Sequence, residues 1–282
     1  MNKIKLKLNN MISLFIRRAN IKSIKAKLKD YSNHEEEMII LYFINLLNIS
    51  KENQFFVDIG ASDGISASNT YALYNNNWNG LALECDSNKF AALATLYSDE
   101  LPYIMLSKNK VNPENVEYLL KSHQVPKKFG FLSLDIDGYD YFVLDKIMSS
   151  YRPSLICTEI NERIPPPIKF TVRWDPDYVW PQNHFYGQSI SQLYTLCLKY
   201  DYALVKYHYV NAFLIPRELN AKWKCLTPEE AYKEGYLEKE DRKIRYWYNA
   251  DMEEIFDLSP EEAIKFIKKY YNKYAGKYLC SL

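Results

Sequence analysis

Two short runs of this sequence, residues 55–64 and 80–84, constrain its fold more than any other feature. The first reads Phe-Phe-Val-Asp-Ile-Gly-Ala-Ser-Asp-Gly and the second reads Gly-Leu-Ala-Leu-Glu. β-Branched and aromatic residues favour strands, and the glycines allow a tight turn after the first strand. The order strand, tight loop, helix, strand, acid is typical of an open α/β sheet in which the acid holds two ribose hydroxyls. The two runs therefore predict a nucleoside-binding site, with Glu84 as the ribose acid.

The loop between the two glycines indicates which nucleoside it binds. A dinucleotide-binding loop has the pattern G-x-G-x-x-G, whose middle glycine lets a pyrophosphate reach the helix N-terminus. Here Ala, Ser and Asp separate Gly60 from Gly64, and Asp58 precedes the first glycine by two residues. Acids repel a pyrophosphate but suit a cationic ligand, which favours S-adenosylmethionine. We expect Gly60, Ser62 and Gly64 to surround its amino-acid part, and Asp58 either to order the loop or to receive the ammonium group through water.

Four ordered motifs extend this pattern along the chain. They are Val57-Asp58-Ile59-Gly60, Leu83-Glu84, the stretch from Phe131 to Tyr141 that contains Ser-Leu-Asp-Ile-Asp-Gly-Tyr-Asp, and Thr158-Glu159-Ile160-Asn161. Over residues 53–217 the chain resembles the class I S-adenosylmethionine-dependent methyltransferases, and more narrowly their FkbM-type family. The resemblance implies transfer of a methyl group, commonly to an oxygen on a sugar or related small metabolite.

The alternation of strand-like and helical runs predicts an α/β fold, a doubly wound and mostly parallel seven-stranded sheet of the Rossmann-like methyltransferase type. The predicted strands are 55–59, 80–84, 101–106, 131–135, 155–159, 202–207 and 210–216, and two of the predicted helices are 35–47 and 189–199. Only two residues separate the last two strands, so these form a hairpin and the last strand is antiparallel. An antiparallel last strand is typical of the methyltransferase sheet and foreign to the dinucleotide-binding one.

The methyltransferase-like domain, residues 51–217, is flanked by two extensions that are predicted to be helical. Residues 1–50 begin with a basic amphipathic stretch. Two interpretations of this stretch remain open, namely peripheral contact with a membrane surface or partner, or packing against the domain or within a homodimer. Residues 218–282 contain two helix starts of the form Ser/Thr-Pro-Glu-Glu, at Thr227 and Ser259. We expect this C-terminal extension to act as a lid or an oligomer contact.

Charge and cysteine content exclude several classes of protein. Nine of the 36 Lys and Arg lie in residues 1–30 beside a single acid, so the rest of the chain has 27 bases against 34 acids. Such a surface is a poor general binder of nucleic acid, and the chain lacks the Asn/Asp-Pro-Pro-aromatic motif for a flipped base. Five widely spaced cysteines without a C-x-x-C pair indicate reduced thiols. With no signal-peptide pattern and no membrane-spanning run, the expected location is cytoplasmic, or peripheral to a membrane.

Acidic residues follow the fourth and fifth predicted strands, which are neighbours in such a sheet. Asp135, Asp137 and Asp140 follow the fourth strand, and Glu159 ends the fifth. Carboxylates at one sheet edge repel each other unless they are paired, protonated or neutralised by a metal. In one interpretation, Asp135 and Glu159 bind Mg²⁺ or Mn²⁺, which lowers the pKa of a substrate hydroxyl. In the other, a carboxylate such as Asp135 or Asp137 acts without metal as general base or substrate clamp. Asp135 is also an expected cofactor contact.

Residues 160–188 form an insertion that is predicted to bind the methyl acceptor. Segments of this length without clear periodicity are usually functional or disordered, and the aromatic content argues against disorder. Aromatic rings suit packing against a sugar, and Arg173 suits a phosphate or carboxylate. His184 has a suitable pKa for a general base, and the alternative is a surface histidine paired with a nearby acid. The predicted acceptor contacts are Glu159, Asn161, Arg173, Trp174, Tyr178 and Trp180.

Together these patterns predict an S-adenosylmethionine-dependent O-methyltransferase that acts on a sugar, nucleotide-sugar or glycan hydroxyl. Its expected partners are a small-molecule or glycan substrate and no nucleic acid. The alternative function is a non-catalytic methyltransferase-fold module that docks on a membrane surface or a protein through its basic N-terminal helix.

Overall fold

The structure is a computed structural model that describes residues 31–98, 103–220 and 223–282. Its strands are β1 (Phe55–Ile59), β2 (Asn79–Glu84), β3 (Ile104–Lys108), β4 (Lys128–Leu134), β5 (Arg152–Glu159), β6 (Lys169–Val172), β7 (Tyr202–His208), β8 (Asn211–Pro216) and β9 (Tyr278–Ser281). Its α-helices are α1 (Glu36–Leu47), α2 (Tyr71–Asn75), α3 (Ser87–Ser98), α4 (Val116–Ser122), α5 (Asp140–Ser150), α6 (Ile190–Lys199), α7 (Pro228–Tyr232), α8 (Arg242–Arg245) and α9 (Pro260–Tyr270). Tighter 3₁₀ turns span Lys51–Asn53, Arg217–Leu219, Trp247–Asp257 and Asn272–Tyr274, and a π turn spans Lys233–Leu237.

Seven strands form one sheet in the order β3-β2-β1-β4-β5-β8-β7. Strands β1 to β5 pair in parallel, whereas β8 runs antiparallel to both of its neighbours. The strand order reverses between β1 and β4, which is the point where open α/β sheets bind ligands. The predicted Rossmann-like methyltransferase fold is thereby confirmed, including the hairpin that makes the last strand of this sheet antiparallel.

The sheet is buried on both faces because apolar residues occupy successive positions along its strands. In β1, Phe55 and Val57 pack into a core with helices α4, α5 and α6, whereas Phe56 packs into a second core with α1, α2 and α3. Successive side chains of a strand point to opposite faces, so both cores depend on the same strands. Polar side chains are consequently concentrated in the loops at the strand ends.

Several predicted helix ends are confirmed in detail. The Ser189 hydroxyl accepts a hydrogen bond from the Gln192 amide at the start of α6. Thr227 and Ser259 both form capping boxes, in which a glutamate three residues later bonds back to the cap residue. The basic stretch predicted to be helical in residues 1–30 lies outside the described residues. Within the ranges that the structure describes, no helix has both the length and the apolar character required to cross a membrane.

The insertion and the C-terminal extension form one unit, which the sequence analysis did not anticipate. Strand β6 of the insertion pairs antiparallel with β9 at the end of the chain. Around this pair lies a third core, to which Phe170 and Phe185 contribute from the insertion and Ile267 and Tyr271 from the C-terminal part. The insertion therefore owes its ordered conformation to residues about a hundred positions away in the sequence, such as Cys280, which pairs with Phe170.

Candidate functional site

A cleft of about 470 Å³ opens at the carboxyl ends of the central parallel strands. Its volume lies within the range of about 300–1,000 Å³ that is usual for small-molecule sites. Part of its wall consists of predicted site residues, namely Gly60, Ser62, Glu84, Asp135, Asp137, Tyr178 and Trp180. The cleft is thus the place where the first two motifs meet the motif after β4.

Gly60 makes the turn after β1 and passes very close to the loop after β4. Its φ angle is +92°, and a Cβ atom built on it would lie 1.8 Å from the carbonyl oxygen of Asp135. The amides of Gly60 and Ala61 both donate to the carbonyl of Leu83, at 3.0 Å. A side chain at position 60 would therefore separate two loops that form adjacent walls of the cleft.

The carboxylate of Glu84 lies at the tip of β2 and is hydrogen-bonded to two backbone amides. One of its oxygens accepts from the Ser62 amide at 2.8 Å, and the other accepts from the Asp86 amide at 2.7 Å. Each carboxylate oxygen has more than one acceptor site, so both can still accept bonds from a ligand. Glu84 is therefore positioned by backbone on both sides while facing the cleft.

Two predicted cofactor residues, Asp58 and Gly64, are not among the described residues that line the cleft. Asp58 is buried and accepts a hydrogen bond of 2.6 Å from the Thr70 hydroxyl. Burial, partly offset by that bond, raises the pKa of Asp58 to about 6. Gly64 faces helix α3, because a Cβ atom there would lie 2.6 Å from the Leu93 side chain. Asp58 thus occupies a position from which it orders the loop.

The loop after β4 is held in an unusual conformation by a buried acid. The carboxylate of Asp140 accepts from the amides of Ile136 and Gly138, at 3.0 and 2.9 Å. Between these two amides lies Asp137, whose φ angle of +53° is in the left-handed region. Asp140 is fully buried and is a structural clamp that directs the backbone of the loop.

Three acids converge beside the cleft. Asp135, Asp137 and Glu159 each place a carboxylate oxygen within 4.8 Å of the other two. Burial, with repulsion from Asp140, raises the pKa of Asp137 to about 6. Burial, with repulsion from neighbouring acids of the cluster, raises the pKa values of Asp135 and Glu159 well above their usual range. Asp135 remains open to solvent at the cleft although protein atoms surround it, whereas Oε2 of Glu159 is shielded and has no partner among the described residues. The all-oxygen donor set suits Mg²⁺ or Mn²⁺, so these residues fit the predicted metal.

Part of the insertion covers the cleft. The segment 174–182, which we call the strap, contributes Tyr178, Val179 and Trp180 to the cleft wall. The Tyr178 hydroxyl donates to the carbonyls of Asp137 and Phe185, at 2.9 and 3.0 Å. The strap therefore borders the same cavity as Glu84, in addition to its predicted place beside the acceptor.

Other residues predicted to contact the acceptor are engaged in bonds within the protein. Asn161 is buried and donates to the carbonyls of His184 and Tyr186. The exposed Arg173 donates to the Tyr278 carbonyl, at 3.4 Å. The Trp174 ring lies edge-on at 4.5 Å from the Tyr139 ring, and its Nε1 donates to Glu114.

His184 lies next to the C-terminal part of the chain. Its Nε2 is 3.2 Å from a carboxylate oxygen of Asp251, as in the alternative interpretation of a histidine paired with an acid. Burial lowers its pKa and Arg163 lowers it further, whereas Asp251 acts in the opposite direction. Its Nδ1 is buried and without a partner in the part of the chain that the structure describes. A role as general base stays a prediction.

Several residues of the cleft wall are not among those predicted from the sequence. They follow β2 and β3 or belong to α3 and the loop before α5: Cys85, Lys89, Asn109, Lys110, Val111 and Tyr139. A signal was available, because residues after a third parallel strand reach the same sheet edge as those after the first two. The predicted third strand ended at residue 106, whereas β3 extends to Lys108, so the residues at that edge were not considered.

No protein-family model and no curated protein matches the sequence. The chain is similar in structure to an S-adenosylmethionine-dependent methyltransferase from Clostridium acetobutylicum, with 9% identity, a TM-score of 0.42 and coverage of 72% of this chain and 98% of that one. It is also similar to TrmK of M. capricolum in complex with S-adenosyl-homocysteine, with 12% identity, a TM-score of 0.45 and coverage of 83% and 96%. An uncharacterised protein from Listeria monocytogenes is 11% identical, with a TM-score of 0.40 and coverage of 81% and 86%.

Proposed function

We propose that this protein is an S-adenosylmethionine-dependent O-methyltransferase that acts on a hydroxyl of a sugar, nucleotide-sugar or glycan. The observation that carries the proposal is the Glu84 carboxylate, held by two backbone amides at the tip of β2 so that it faces the cleft beside the Gly60 turn. A carboxylate in this position suits a ribose, and an acid-lined cleft suits a sulfonium and an ammonium better than a pyrophosphate. The strand order, with an antiparallel β8, agrees with this class of enzyme.

S-adenosylmethionine, when bound, supplies a methyl group that is already activated for displacement. The protein then has to position the acceptor hydroxyl and remove its proton. The acceptor oxygen would take the methyl group from sulfur, S-adenosylhomocysteine would leave, and a carboxylate of the cluster formed by Asp135, Asp137 and Glu159 would take up the hydroxyl proton. Their raised pKa values make these acids better proton acceptors than ordinary carboxylates, and the pKa of Asp137 is about 6. His184, if it faces the acceptor, is the alternative base.

In the alternative mechanism, the same carboxylates would hold a divalent metal instead of taking up the proton. Asp135 and Glu159, with Asp137 as a third ligand, would bind Mg²⁺ or Mn²⁺, which would lower the pKa of the acceptor hydroxyl. The hydroxyl-rich acceptor follows from the resemblance to FkbM-type enzymes and from the carboxylate cluster, since carboxylates accept hydrogen bonds from sugar hydroxyls.

The first experiment is calorimetric titration with S-adenosylmethionine and S-adenosylhomocysteine, with NAD as the control ligand. We expect binding of the first two and none of the third. Glu84→Gln should weaken binding about tenfold or more, because a hydrogen bond to a charged group contributes about 1.5–3 kcal/mol. Glu254→Gln, at an exposed position, is the matched control. Thermal unfolding of both variants separates lost binding from lost folding, and unchanged affinity in Glu84→Gln would place the ribose elsewhere.

A second experiment addresses the acceptor. Nucleotide sugars and free glycans are incubated with methyl-labelled S-adenosylmethionine, with Mg²⁺ or with EDTA. Transfer of the labelled methyl group to a sugar supports a sugar hydroxyl as the acceptor. Loss of this transfer in EDTA supports a requirement for a divalent metal. Cofactor binding without transfer to any sugar would contradict the acceptor class only.

The alternative function is a non-catalytic module recruited by the basic N-terminal stretch. The observation that favours it is the concentration of nine Lys and Arg beside one acid in residues 1–30. If the full chain binds anionic vesicles and does not bind S-adenosylmethionine, the non-catalytic function replaces the enzyme proposal.

A further inference from the structure

The strap over the cleft is tied to the rest of the protein by a residue that no motif indicated. Lys110 follows β3, and its Nζ donates to the carbonyls of Pro176 and Tyr178, at 2.9 and 2.8 Å. Lys110 also lines the cleft. A single ammonium group therefore connects the wall of the cleft to the backbone of the strap that covers it.

The strap itself is held on its inner side and open on its outer side. The Tyr178 ring packs closely on Gly138, because a Cβ atom built on Gly138 would lie 2.8 Å from a carbon of that ring. Beyond Tyr178 the chain turns outward, and Val179 is 78% exposed. The Trp180 Nε1 donates to the Asn183 carbonyl, a bond within the insertion. The two bonds from Lys110 thus restrain the strap next to its most exposed part.

The position of the strap relative to Glu84 indicates what it covers. Cys85, Val111 and Tyr139 line the cleft together with Glu84, so a ribose held by Glu84 would have these residues available to contact its base. Tyr178 and Trp180 border the same space from the strap. Aromatic side chains pack well against a purine, so the strap suits the base of a bound nucleoside.

We propose that Lys110 is a positioning residue that latches the strap over the nucleoside of the bound cofactor and so controls how fast the cofactor exchanges. This inference rests on the proposed function, because it takes the nucleoside to be that of S-adenosylmethionine or S-adenosylhomocysteine. Release of the nucleoside then requires both bonds from Lys110 to the strap to break.

The test measures association and dissociation of S-adenosylhomocysteine by stopped-flow tryptophan fluorescence in the full chain. Lys110→Met should raise the dissociation rate about tenfold, since it removes two hydrogen bonds to the strap. Lys110→Arg keeps a donor and should restore most of the slow dissociation. Lys108→Met, at an exposed position two residues earlier, is the matched control and should dissociate like the parent. Trp180→Phe identifies the part of the signal that comes from the strap.

Hydrogen exchange of the ligand-free protein provides a readout that does not require cofactor binding. Peptides from residues 174–182 should exchange faster in Lys110→Met than in the parent or in Lys108→Met. Equal dissociation rates or equal strap exchange in Lys110→Met and the parent would overturn the latch while leaving the proposed function intact. Absence of any S-adenosylhomocysteine binding by the parent would overturn both proposals, so the two failures are distinguishable.

Discussion

At the scale of single residues, the cleft depends on close approaches of backbone that only certain side chains permit. Gly60 illustrates this, since its missing side chain leaves room for the Asp135 carbonyl. Asp140 acts in a complementary way, because its carboxylate accepts from two amides on either side of Asp137. Neither residue has to touch a ligand in order to determine the shape of the site.

Gly60→Ala should both destabilise the protein and weaken cofactor binding. The Cβ atom would overlap the Asp135 carbonyl, and the left-handed φ angle alone costs on the order of 1–3 kcal/mol for a residue with a side chain. Gly276→Ala is the matched control, because Gly276 has a φ of +82° but nothing within 4 Å of the added atom. Thermal unfolding and S-adenosylhomocysteine titration should show a larger loss for Gly60→Ala. Equal losses in the two variants would mean that the two loops can separate at little cost.

Asp58 should make stability depend on pH. Its folded-state pKa of about 6 exceeds the ordinary value of 3.8, so the folded protein retains a proton that the unfolded chain releases. Stability from this group is therefore present at pH 4 and lost as the pH rises through 6. As the pH is raised from 4 to 7, the free energy of unfolding of Asp58→Asn should increase by about 2–3 kcal/mol relative to that of the parent, since one pKa unit corresponds to about 1.4 kcal/mol.

The check on Asp58 is urea unfolding at several pH values. The exposed Asp257→Asn serves as the control and should follow the parent at every pH. A difference between Asp58→Asn and the parent that does not change with pH would show that the Asp58 carboxyl titrates normally.

At the scale of elements, the pairing of β6 with β9 determines where the insertion lies. Phe170 of β6 is buried against Tyr271 and Tyr278, with ring centroids 5.6 and 5.4 Å apart. Near the start of the insertion, the buried Arg163 bonds to Asn249 at 2.7 Å and pairs with Glu162. Since a two-stranded ribbon is marginal by itself, these contacts are needed to keep the strap over the cleft.

Deletion of residues 278–282 should loosen the insertion and leave the main sheet intact. Removal of β9 leaves β6 without the strand it pairs with and exposes part of the third core. Hydrogen exchange should accelerate in peptides from residues 165–175 and remain slow in peptides from residues 128–134. Leu282→Ala, outside the strand, is the control. Unchanged exchange in the insertion would show that its loops hold it without β9.

At the scale of the whole molecule, the described cleft is built from residues 59–180, and the basic stretch lies well before it in the sequence. The Gly60 turn, Glu84, two acids of the carboxylate cluster and the cleft-lining residues of the strap all come from this part of the chain. The C-terminal residues act on it indirectly, through β9 and the third core.

Removal of residues 1–30 should therefore leave cofactor affinity unchanged. If the basic stretch serves as a membrane contact, the same deletion should reduce sedimentation with vesicles that contain an anionic lipid, because nine of the basic residues are lost with one acid. Titration with S-adenosylhomocysteine and vesicle sedimentation of both proteins check the two parts separately. A large drop in affinity would mean that the N-terminal stretch contributes to the cleft.

The sequence by itself determined the sheet and the order of its motifs. Short continuous apolar runs predict β1, β2, β4 and β5, and the two-residue connection before β8 predicts the antiparallel strand, because both signals are local. The places of Gly60, Glu84 and Asp135 at strand ends follow from the same topology, since parallel strands bring their carboxyl ends to one edge.

The tertiary structure alone decided which side chains meet within that edge. The insertion has no periodicity that predicts β6, and its partner β9 lies about a hundred residues later in the sequence, so no local pattern shows that Tyr178 and Trp180 line the cleft. The chemistry of His184 predicts a general base, which stays a prediction, whereas its pairing with Asp251 is a long-range contact that no local pattern shows. Local propensity determines where helices and strands form. The positions of loops depend instead on contacts between residues far apart in the sequence, and these contacts form only in the folded chain.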